Sequence, residues 1–583
     1  MLSPVRQYRW TLRSRSDENT LAVLEATKKL SDELSISPVL SEILVHRGID
    51  TFDKAKGFFR PGLSALHDPF VMDGMEAAVD RIAQAVKSSE KIVVYGDYDV
   101  DGTNGTALLW TFLKKAGANV QYFIPDRIKQ GYGLSNSGID QVRVTGATLV
   151  VSVDCGITAV NQVEYARSHG IDVVVCDHHE PGEPLPRAAA ILDALKPSCR
   201  YPYKYLCGCG VGFKLIQALS TREPIRSRFE HEEENHLLPF IQYVTLATIA
   251  DIVPLQGENR TLVKLGLDLI NSNPVPGIRA LIETSGLKIG RITAGQVVFV
   301  LAPRINAVGR LGDATRAVEM LTCDSYERAL QLATVLEQEN IQRRRIDEET
   351  FLQAQAIVEQ HLNADDDRVI ILHQELWHPG VIGIVASRLV ERYYRPTIMM
   401  TTVDGVAKGS ARSVSGFNIY EALKRCESKL IQFGGHKYAA GLTVELNRLD
   451  EFKVAFKSVA EELLTDELLT PEIKIDAEVQ VSDLNPKFVR ILNQFAPFGP
   501  DNMRPVFTTK DVEVVGSPRI VGKNHLKFKV RNNSHVVDAI GFNLGNLIDR
   551  VQPGRKDLRL AFSLDEGEYG GENVLQLKIR DIK

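Results

Sequence analysis

From Lys91 onward, apolar β-branched runs alternate with amphipathic stretches. KIVVYGDYD leads into GTALLWTFLKKAG, ATLVVSVDCG leads into AVNQVEYARSHG, and IDVVVCDHHEPG follows. Continuous apolar strands interleaved with helices predict βαβ units and a parallel sheet covered on both faces. This first α/β domain is expected over residues 71–323, behind a lead-in of short helical patterns at 1–70. No Gly or Pro occurs from Asp324 to Leu362, and Asp324 with Glu327 has the spacing of a capping box. That predicts a connecting helix over 324–363, roughly 58 Å long, with a break near Asn340 as the alternative. A second α/β pattern occupies 364–466, from RVIILHQELWHPG to FGGHKYAAGLTVE. Beyond it, short alternating runs such as IKIDAEVQV, HLKFKVRN and VLQLKIRDI, separated by Gly, Pro and Asn turns, predict a small β-barrel over 467–583. The fold class is α/β multidomain with a C-terminal barrel. The absence of any repeat of 20 to 50 residues excludes a solenoid.

Composition narrows the possible partners. The 583 residues are 44% hydrophobic and 25% charged, which excludes disorder, collagen and a simple coiled coil. With 69 Lys and Arg against 74 Asp and Glu, the net charge of -5 attracts no polyanion globally, so a nucleic-acid site has to be a local patch. The seven cysteines are scattered, several inside apolar runs, and suit reduced thiols better than a disulfide framework. Cys199, Cys207 and Cys209 cluster but lack a second pair at zinc-finger spacing. The N-terminus has no apolar h-region and no run reaches 18 apolar residues, so a cytoplasmic protein without a membrane segment is expected. The charged segment 222–236 reads as a solvated excursion.

The chemistry concentrates at strand ends. GDYDVDG follows the strand KIVVY, and its Asp97, Asp99 and Asp101 alternate, so in extended chain the three carboxylates would leave on one side. An EF-hand loop is excluded because its twelfth position, which must be Glu, is Leu108. The next strands end in Asp154 and in Asp177, His178 and His179, and Asp251 interrupts the apolar run LATIADIVPL. In open parallel sheets ligands bind beyond the carboxyl ends of strands, so these groups are expected around one crevice. Several carboxylates with one or two imidazoles suit Mn²⁺ or Mg²⁺, and the donor set is large enough for two ions. Such a pair promotes in-line displacement at phosphorus, which makes phosphate-ester hydrolysis the expected chemistry. Walker A, nucleophile-elbow and HExxH motifs are absent, and CGCGVG reads as helix packing.

In this order and spacing, GDYDVDG, VSVDCG, the DHH at 177–179 and ATIADIVPL resemble the motifs of the DHH phosphoesterase superfamily. FGGHKYAAG resembles the GGH motif of its associated second (DHHA1-type) domain. HPGVIGIVASRL, KGSARS, PRINAVGR and FAPFGPDNMRPVF are similar to the bacterial RecJ subfamily. The resemblance implies a metal-dependent exonuclease that degrades single-stranded DNA from its 5′ end to 5′-mononucleotides in repair and recombination. It implies metal ligation by Asp97, Asp99, Asp101, Asp154, His178 and Asp251, catalytic roles for Asp101 and His179, and for His179 either contact with the scissile phosphate or the steering of a ligand. Asp97 stands where many superfamily members carry His. Arg304 and Arg310 in PRINAVGR, Ser410 and Arg412 in GSARS, and His436 in GGH become candidate phosphate clamps, since a guanidinium forks onto phosphate oxygens. A monomer with an OB-like barrel is implied, with a single-stranded-DNA-binding protein and a RecQ-type helicase as partners. The alternatives are a DHH phosphodiesterase of short oligonucleotides or cyclic dinucleotides and an inactive scaffold. A scaffold would be expected to have lost metal acids, and all are present.

The barrel carries its own signal. In HLKFKVR, Lys527, Lys529 and Arg531 alternate with Leu526, Phe528 and Val530, and residues 504–531 hold seven Lys or Arg against two Asp or Glu. Such a strand would lay Lys527 and Lys529 along a phosphate backbone. Phe495, Phe498 and Phe507 are assigned to core packing rather than base stacking.

Overall fold

In the computed structural model residues 7–13, 20–127, 129–229, 236–363, 367–532, 535–569 and 572–583 are described. The acidic centre of the charged excursion, 230–235, lies outside them. The chain divides into two units, one of Leu44–Ile341 with Leu492–Arg504, the other of Met1–Ile43, Gln342–Ile491 and Pro505–Lys583.

The parallel sheet belongs to the first unit. Its strands Lys91–Gly96, Asn119–Phe123, Leu149–Val153, Asp172–Cys176 and Ala190–Leu192 are all parallel. Ile92 to Tyr95, Leu149 to Val153 and Val173 to Cys176 are buried, because helices cover the sheet and leave the strands no polar face. The order across the sheet places Asn119–Phe123 on one side of Lys91–Gly96 and Leu149–Val153 on the other. The winding direction therefore reverses between the first and third strands, and their adjacent carboxyl ends open the crevice where such sheets hold ligands. Helix Leu238–Ala250, apolar all round, is buried along nearly its whole length and packs on Val100–Lys115 and Gly208–Leu219. Its C-terminal end delivers Asp251.

The connecting helix is unbroken from Tyr326 to His361, about 54 Å, with Asn340 buried in its middle rather than at a break. Its cap differs from the expected Asp324–Glu327 box. Ser325 precedes the first helical residue, and its Oγ accepts from the Arg328 N–H at 3.3 Å. The shorter hydroxyl occupies the N-cap position, and Asp324 lies one residue outside it.

The second unit holds two sheets of different kinds. One orders Gln432–His436, Ala439–Glu445, Val406–Arg412, Thr397–Val403 and Ile370–His373, antiparallel except for the last pair. The other is a closed barrel of Phe507–Val521, His525–Asn532, His535–Gly541, Leu558–Tyr569 and Glu572–Ile582. Phe507–Val521 closes it by pairing with Leu558–Tyr569 through its first half and with His525–Asn532 through its second. Irregularities after Thr509 and Val515 bend this long strand between its two partners. The run IKIDAEVQV splits instead of forming one barrel strand. Glu472–Ile475 pairs in parallel with the N-terminal strand Arg9–Leu12, and Ala477–Glu478 joins the start of the first barrel strand.

Candidate metal centre

The three aspartates of GDYDVDG do not leave an extended chain on one side. The strand stops at Gly96, and the residues that follow turn into a helix whose first turn is part of the motif. Asp97 lies in the turn and is 1% exposed. Asp99 is the N-cap of helix Val100–Lys115, its Oδ1 accepting from Gly102 N–H at 3.0 Å, and Asp101 occupies the first helical turn. The expected strand continuation gives way to an Asp N-cap, because the cap satisfies a free amide of the helix. The carboxylates are nonetheless brought to one place.

Asp101 is held by a segment more than a hundred residues away. Gly208 N–H donates to Asp101 Oδ2 at 2.6 Å and Cys209 N–H to its Oδ1 at 2.8 Å. Both amides belong to the first turn of helix Gly208–Leu219, whose positive end favours an anion. A Cβ on Gly208 would lie 2.7 Å from Asp154 Cα, so only glycine lets this turn fit between the two acids. The CGCG run thus does more than pack a helix. Its Cys-Gly-Cys-Gly spacing before an apolar helix was the available signal.

Asp154, at the end of Leu149–Val153, adopts φ +61°, which turns its carboxyl back over the strand ends. His178 gathers the site. Its Nε2 lies 3.2 Å from Asp154 Oδ1, 3.6 Å from Asp101 Oδ2 and 3.7 Å from Asp251 Oδ2. His179 turns to Asp177, with Nδ1 2.7 Å from Asp177 Oδ1, and its Nε2 is 3.2 Å from the Tyr132 hydroxyl. That hydroxyl donates to the Asp154 carbonyl at 2.9 Å. Asp177 also accepts from Ile157 N–H at 2.9 Å and His178 N–H at 2.8 Å, so it orients its neighbours.

The electrostatics of this cluster call for a cation. Burial, then the charge of Asp99, push Asp97 well above the carboxylate range and raise Asp101 to about 7. Burial and then Asp101 do the same to Asp154 and Asp251. Asp97 Oδ1 is buried without a hydrogen-bond partner among the described residues. For Asp177 burial opposes ionisation, but the hydrogen bond from His179 overrides it and holds the carboxyl below its usual range. Burial likewise disfavours a charged His179, and Asp177 overrides that, raising the imidazole to about 9. Among the described residues three donor groups lie close enough for an ion: Asp97 with Asp99 and Asp154, Asp101 with His178 and Asp251, and Asp154 with His178 and His179. Hard oxygens with one or two imidazoles fit Mn²⁺ or Mg²⁺.

The Asp251 loop is fixed by the remote segment of the same unit. Ile252, a β-branched residue, has φ +61°, a strained conformation that persists only where its surroundings impose it. Leu255 N–H donates to the Pro500 carbonyl at 2.9 Å. The buried guanidinium of Arg260 donates to the carbonyls of Phe495 and Ala496 at 2.9 and 3.0 Å and stacks on Phe58. FAPFGPDN, residues 495–502, is therefore a brace for the loop after Asp251, a role its sequence did not disclose.

PRINAVGR is a second support. Asn306 Oδ1 accepts from Val100 N–H at 3.2 Å, and a Cβ on Gly309 would lie 2.4 Å from the Tyr98 carbonyl. Arg304 is 5% exposed, ion-pairs with Glu337 and donates to Val300 O at 2.6 Å, which leaves it turned away from solvent. Arg310 lies in the last turn of the same helix, half-buried.

Ser410, Arg412 and His436 lie together in the second unit. Arg412 and His436 are both register partners of Ala439, so they share one row and one face, two strands apart. Arg412 Nη1 donates to Ser410 Oγ at 2.9 Å. Ser410 pairs with Gly441, which pairs with Gly434, and the two glycines leave bare backbone beside the hydroxyl.

On the barrel, Leu526, Phe528 and Val530 point inward and Lys529 and Arg531 outward, as the alternation predicts. The outward cations are not all unopposed. Lys529 Nζ is 3.9 Å from Asp538 and Arg531 is 3.0 Å from Glu513. Phe495 and Phe507 are buried, and Phe498 packs under Arg504. All seven cysteines are free. No helix among the described residues is long and apolar enough to cross a membrane.

Family models for the DHH family N-terminal domain, the DHHA1 domain and the RecJ OB domain match residues 91–248, 366–462 and 475–581. The single-stranded-DNA-specific exonuclease RecJ of Bacillus subtilis is 37% identical over 96% of this chain and 69% of its own length. Its namesake from Escherichia coli is 35% identical over 88% of this chain and 90% of that protein. Among solved structures, RecJ of Thermus thermophilus in complex with Mn²⁺ superposes with a TM-score of 0.82 at 28% identity, covering 99% of this chain and 79% of that one. The Mg²⁺ complex of the same protein gives 0.76 at 27% identity.

Proposed function

The chain belongs to the RecJ family of single-stranded-DNA-specific exonucleases, and from that premise we propose how its residues divide the work. The enzyme hydrolyses single-stranded DNA exonucleolytically with Mn²⁺ or Mg²⁺. The observation that carries the catalytic reading is the convergence of His178 on carboxylates from three separate elements. A phosphodiesterase restricted to dinucleotides is not favoured, because the likeness to RecJ extends through the second sheet and the barrel.

In this reading Asp97, Asp99 and Asp154 hold one cation, and Asp101, His178 and Asp251 hold a second. When bound, the pair acidifies a water and neutralises charge on the attacking and leaving oxygens. The protein's part is positional. The Gly208 and Cys209 amides fix Asp101, and Asp177 fixes His179, whose imidazole would contact the scissile phosphate or steer a ligand. Water adds to phosphorus, the P–O3′ bond breaks, and the terminal nucleotide leaves as a 5′-mononucleotide. The shortened strand keeps a 5′ phosphate, so each turnover regenerates a substrate of the same kind.

In the second sheet Arg412, Ser410 and His436, which share one face, are the candidate holders of a 5′ phosphate, while Arg304 serves the fold through Glu337. Arg310, half-buried in the last turn of its helix, is the remaining candidate of PRINAVGR for the nucleotide. The barrel holds the trailing strand through Lys527 and Lys529. The enzyme works as a cytoplasmic monomer in repair and recombination, with a single-stranded-DNA-binding protein and a RecQ-type helicase as partners that present the strand.

Digestion of 5′- and 3′-labelled single-stranded oligonucleotides with Mn²⁺, Mg²⁺ or EDTA tests this reading. Early release of the 5′ label as mononucleotide, stopped by EDTA, is expected. Early release of the 3′ label would reverse the polarity.

A further inference from the structure

The two cation positions differ in what steadies their ligands. Asp99 caps its own helix through the Gly102 N–H, and Asp154 N–H donates to the Cys176 carbonyl at 2.9 Å on the adjoining strand. The group Asp97, Asp99 and Asp154 is therefore supported from within the parallel sheet and the helix that follows its first strand. In the other group Asp101 meets the Gly208 and Cys209 amides, whereas Asp251 stands at the C-cap of helix Leu238–Ala250, before a strained loop. Ile252 occupies the position after that cap, where glycine is usual, at φ +61°. Its side chain is 62% exposed, so packing offsets little of the cost of this conformation. The loop keeps its shape because residues outside it hold it.

Those residues belong to Leu492–Arg504, which is part of the first unit although the chain before and after it belongs to the second. Leu255 N–H donates to the Pro500 carbonyl at 2.9 Å, and Gln256 Nε2 donates to that of Asp501 at 3.0 Å. A Cβ on Gly499 would lie 2.6 Å from Leu255 Cδ1, so segment and loop are in close contact there. The segment is itself folded around one buried amide. Asn502 donates from Nδ2 to the carbonyls of Phe495 at 2.8 Å and Pro497 at 2.7 Å, and its Oδ1 accepts from Arg47. Arg260 donates to the Phe495 carbonyl as well, and from Nε to the Phe58 carbonyl at 3.0 Å. Loss of the Asn502 side chain would cost this turn two buried hydrogen bonds and let it open.

We propose that Asn502 and Arg260 are positioning residues for Asp251, and that the turn they organise sets the affinity of the cation held by Asp101, His178 and Asp251 without altering that of the cation held by Asp97, Asp99 and Asp154. This rests on the reading of these acids as two cation positions and gives one of them a support from the C-terminal part of the chain. A carboxylate free to swing away must be ordered each time an ion binds, and that ordering lowers affinity.

Titration of the full chain with Mn²⁺, followed by calorimetry and by electron paramagnetic resonance of the free ion, tests this. Asp97→Ala and Asp251→Ala each cripple one donor group, so either position can be titrated alone. In the Asp97→Ala background Asn502→Ala should weaken Mn²⁺ binding about tenfold, and in the Asp251→Ala background by less than about twofold. Gln256→Ala removes one surface hydrogen bond and should act in the same direction by about two- to threefold, which preserves the test if Asn502→Ala fails to fold. Adding Ile252→Asn to Asn502→Ala should recover part of the lost affinity, because asparagine tolerates the left-handed conformation. Equal weakening of both positions, or of neither, overturns the positioning role while leaving two cation positions in place. Absence of recovery with Ile252→Asn overturns the part given to strain. If the parent binds no Mn²⁺, the reading of the acids fails, and the segment supports the fold alone.

Discussion

At the metal centre Asp97, Asp101 and Asp154 are buried, carry one sign of charge and are pushed toward protonation by burial and by one another. On the barrel face Lys529 and Arg531 are exposed, and each has a carboxylate on the neighbouring strand. The first arrangement is unstable without an outside ion, which is how a fold stores affinity for a cation. The second is already partly neutral, so it can attract a polyanion only weakly. Burial decides between the two regimes, because the same charges interact several-fold more strongly away from water.

The sharpest break between the regions comes from single substitutions at the centre. Asp101→Ala or His178→Ala should lower turnover by at least about a thousandfold, since about 4 kcal/mol of charge stabilisation at phosphorus is lost. Single-stranded DNA affinity in EDTA should stay within about threefold, because it comes from phosphate contacts elsewhere. A comparable fall in both quantities, in folded protein, would mean that the two regions are not separable.

A second consequence is thermodynamic. Asp101 is raised to about 7 in the folded chain from an ordinary 3.8, so the folded state binds the proton more tightly than the unfolded one. The stabilisation this proton brings is complete below about pH 4 and is lost as pH rises toward 7, on the order of 4 kcal/mol across the whole window. In EDTA the melting temperature should therefore fall across that window. Saturating Mn²⁺ should remove much of the fall and stabilise the protein most at the alkaline end, by about 4 kcal/mol at a thousandfold excess over its dissociation constant. Calorimetry at pH 5, 6, 7 and 8 with and without Mn²⁺ measures this directly. A metal-induced gain that does not grow with pH would contradict the mutual repulsion of these acids.

These two regions were unequally legible in the sequence. The acids could be found because a parallel sheet places its strand ends together, and apolar β-branched runs announce such a sheet. What supports the acids could not be found, because it arises from contacts distant along the chain. Asp101 meets the amides of Gly208 and Cys209, the Asp251 loop meets Pro500, and Val100 meets Asn306. Neither the spacing of PRINAVGR nor that of FAPFGPDN reveals that they brace the centre. The alternation in HLKFKVR correctly gave the barrel strand its two faces. It could not show that Asp538 lies opposite Lys529, since cross-strand register depends on turns and bulges elsewhere.

An intermediate effect is expected in the second sheet, where Arg412 and His436 share a row. Arg412→Ala should slow degradation of 5′-phosphorylated strands about 10- to 100-fold more than of 5′-hydroxyl strands, as the loss of a charge-assisted fork predicts. Initial rates on the two substrates under single-turnover conditions give the ratio. Equal slowing would assign Arg412 to an internal phosphate or to the fold.

The smallest effect is also the most discriminating for the barrel. If Lys529 binds phosphate while sharing its charge with Asp538, the double variant Lys527→Ala, Lys529→Ala should flatten the salt slope by less than the roughly 1.4 of two full contacts. Asp538→Asn should act in the opposite direction, releasing Lys529 to the strand, tightening binding about twofold to threefold and steepening the slope by a few tenths. Removing a surface carboxylate that serves only the fold would leave the slope unchanged. The direction of the Asp538→Asn effect thus reports whether DNA reaches this row at all.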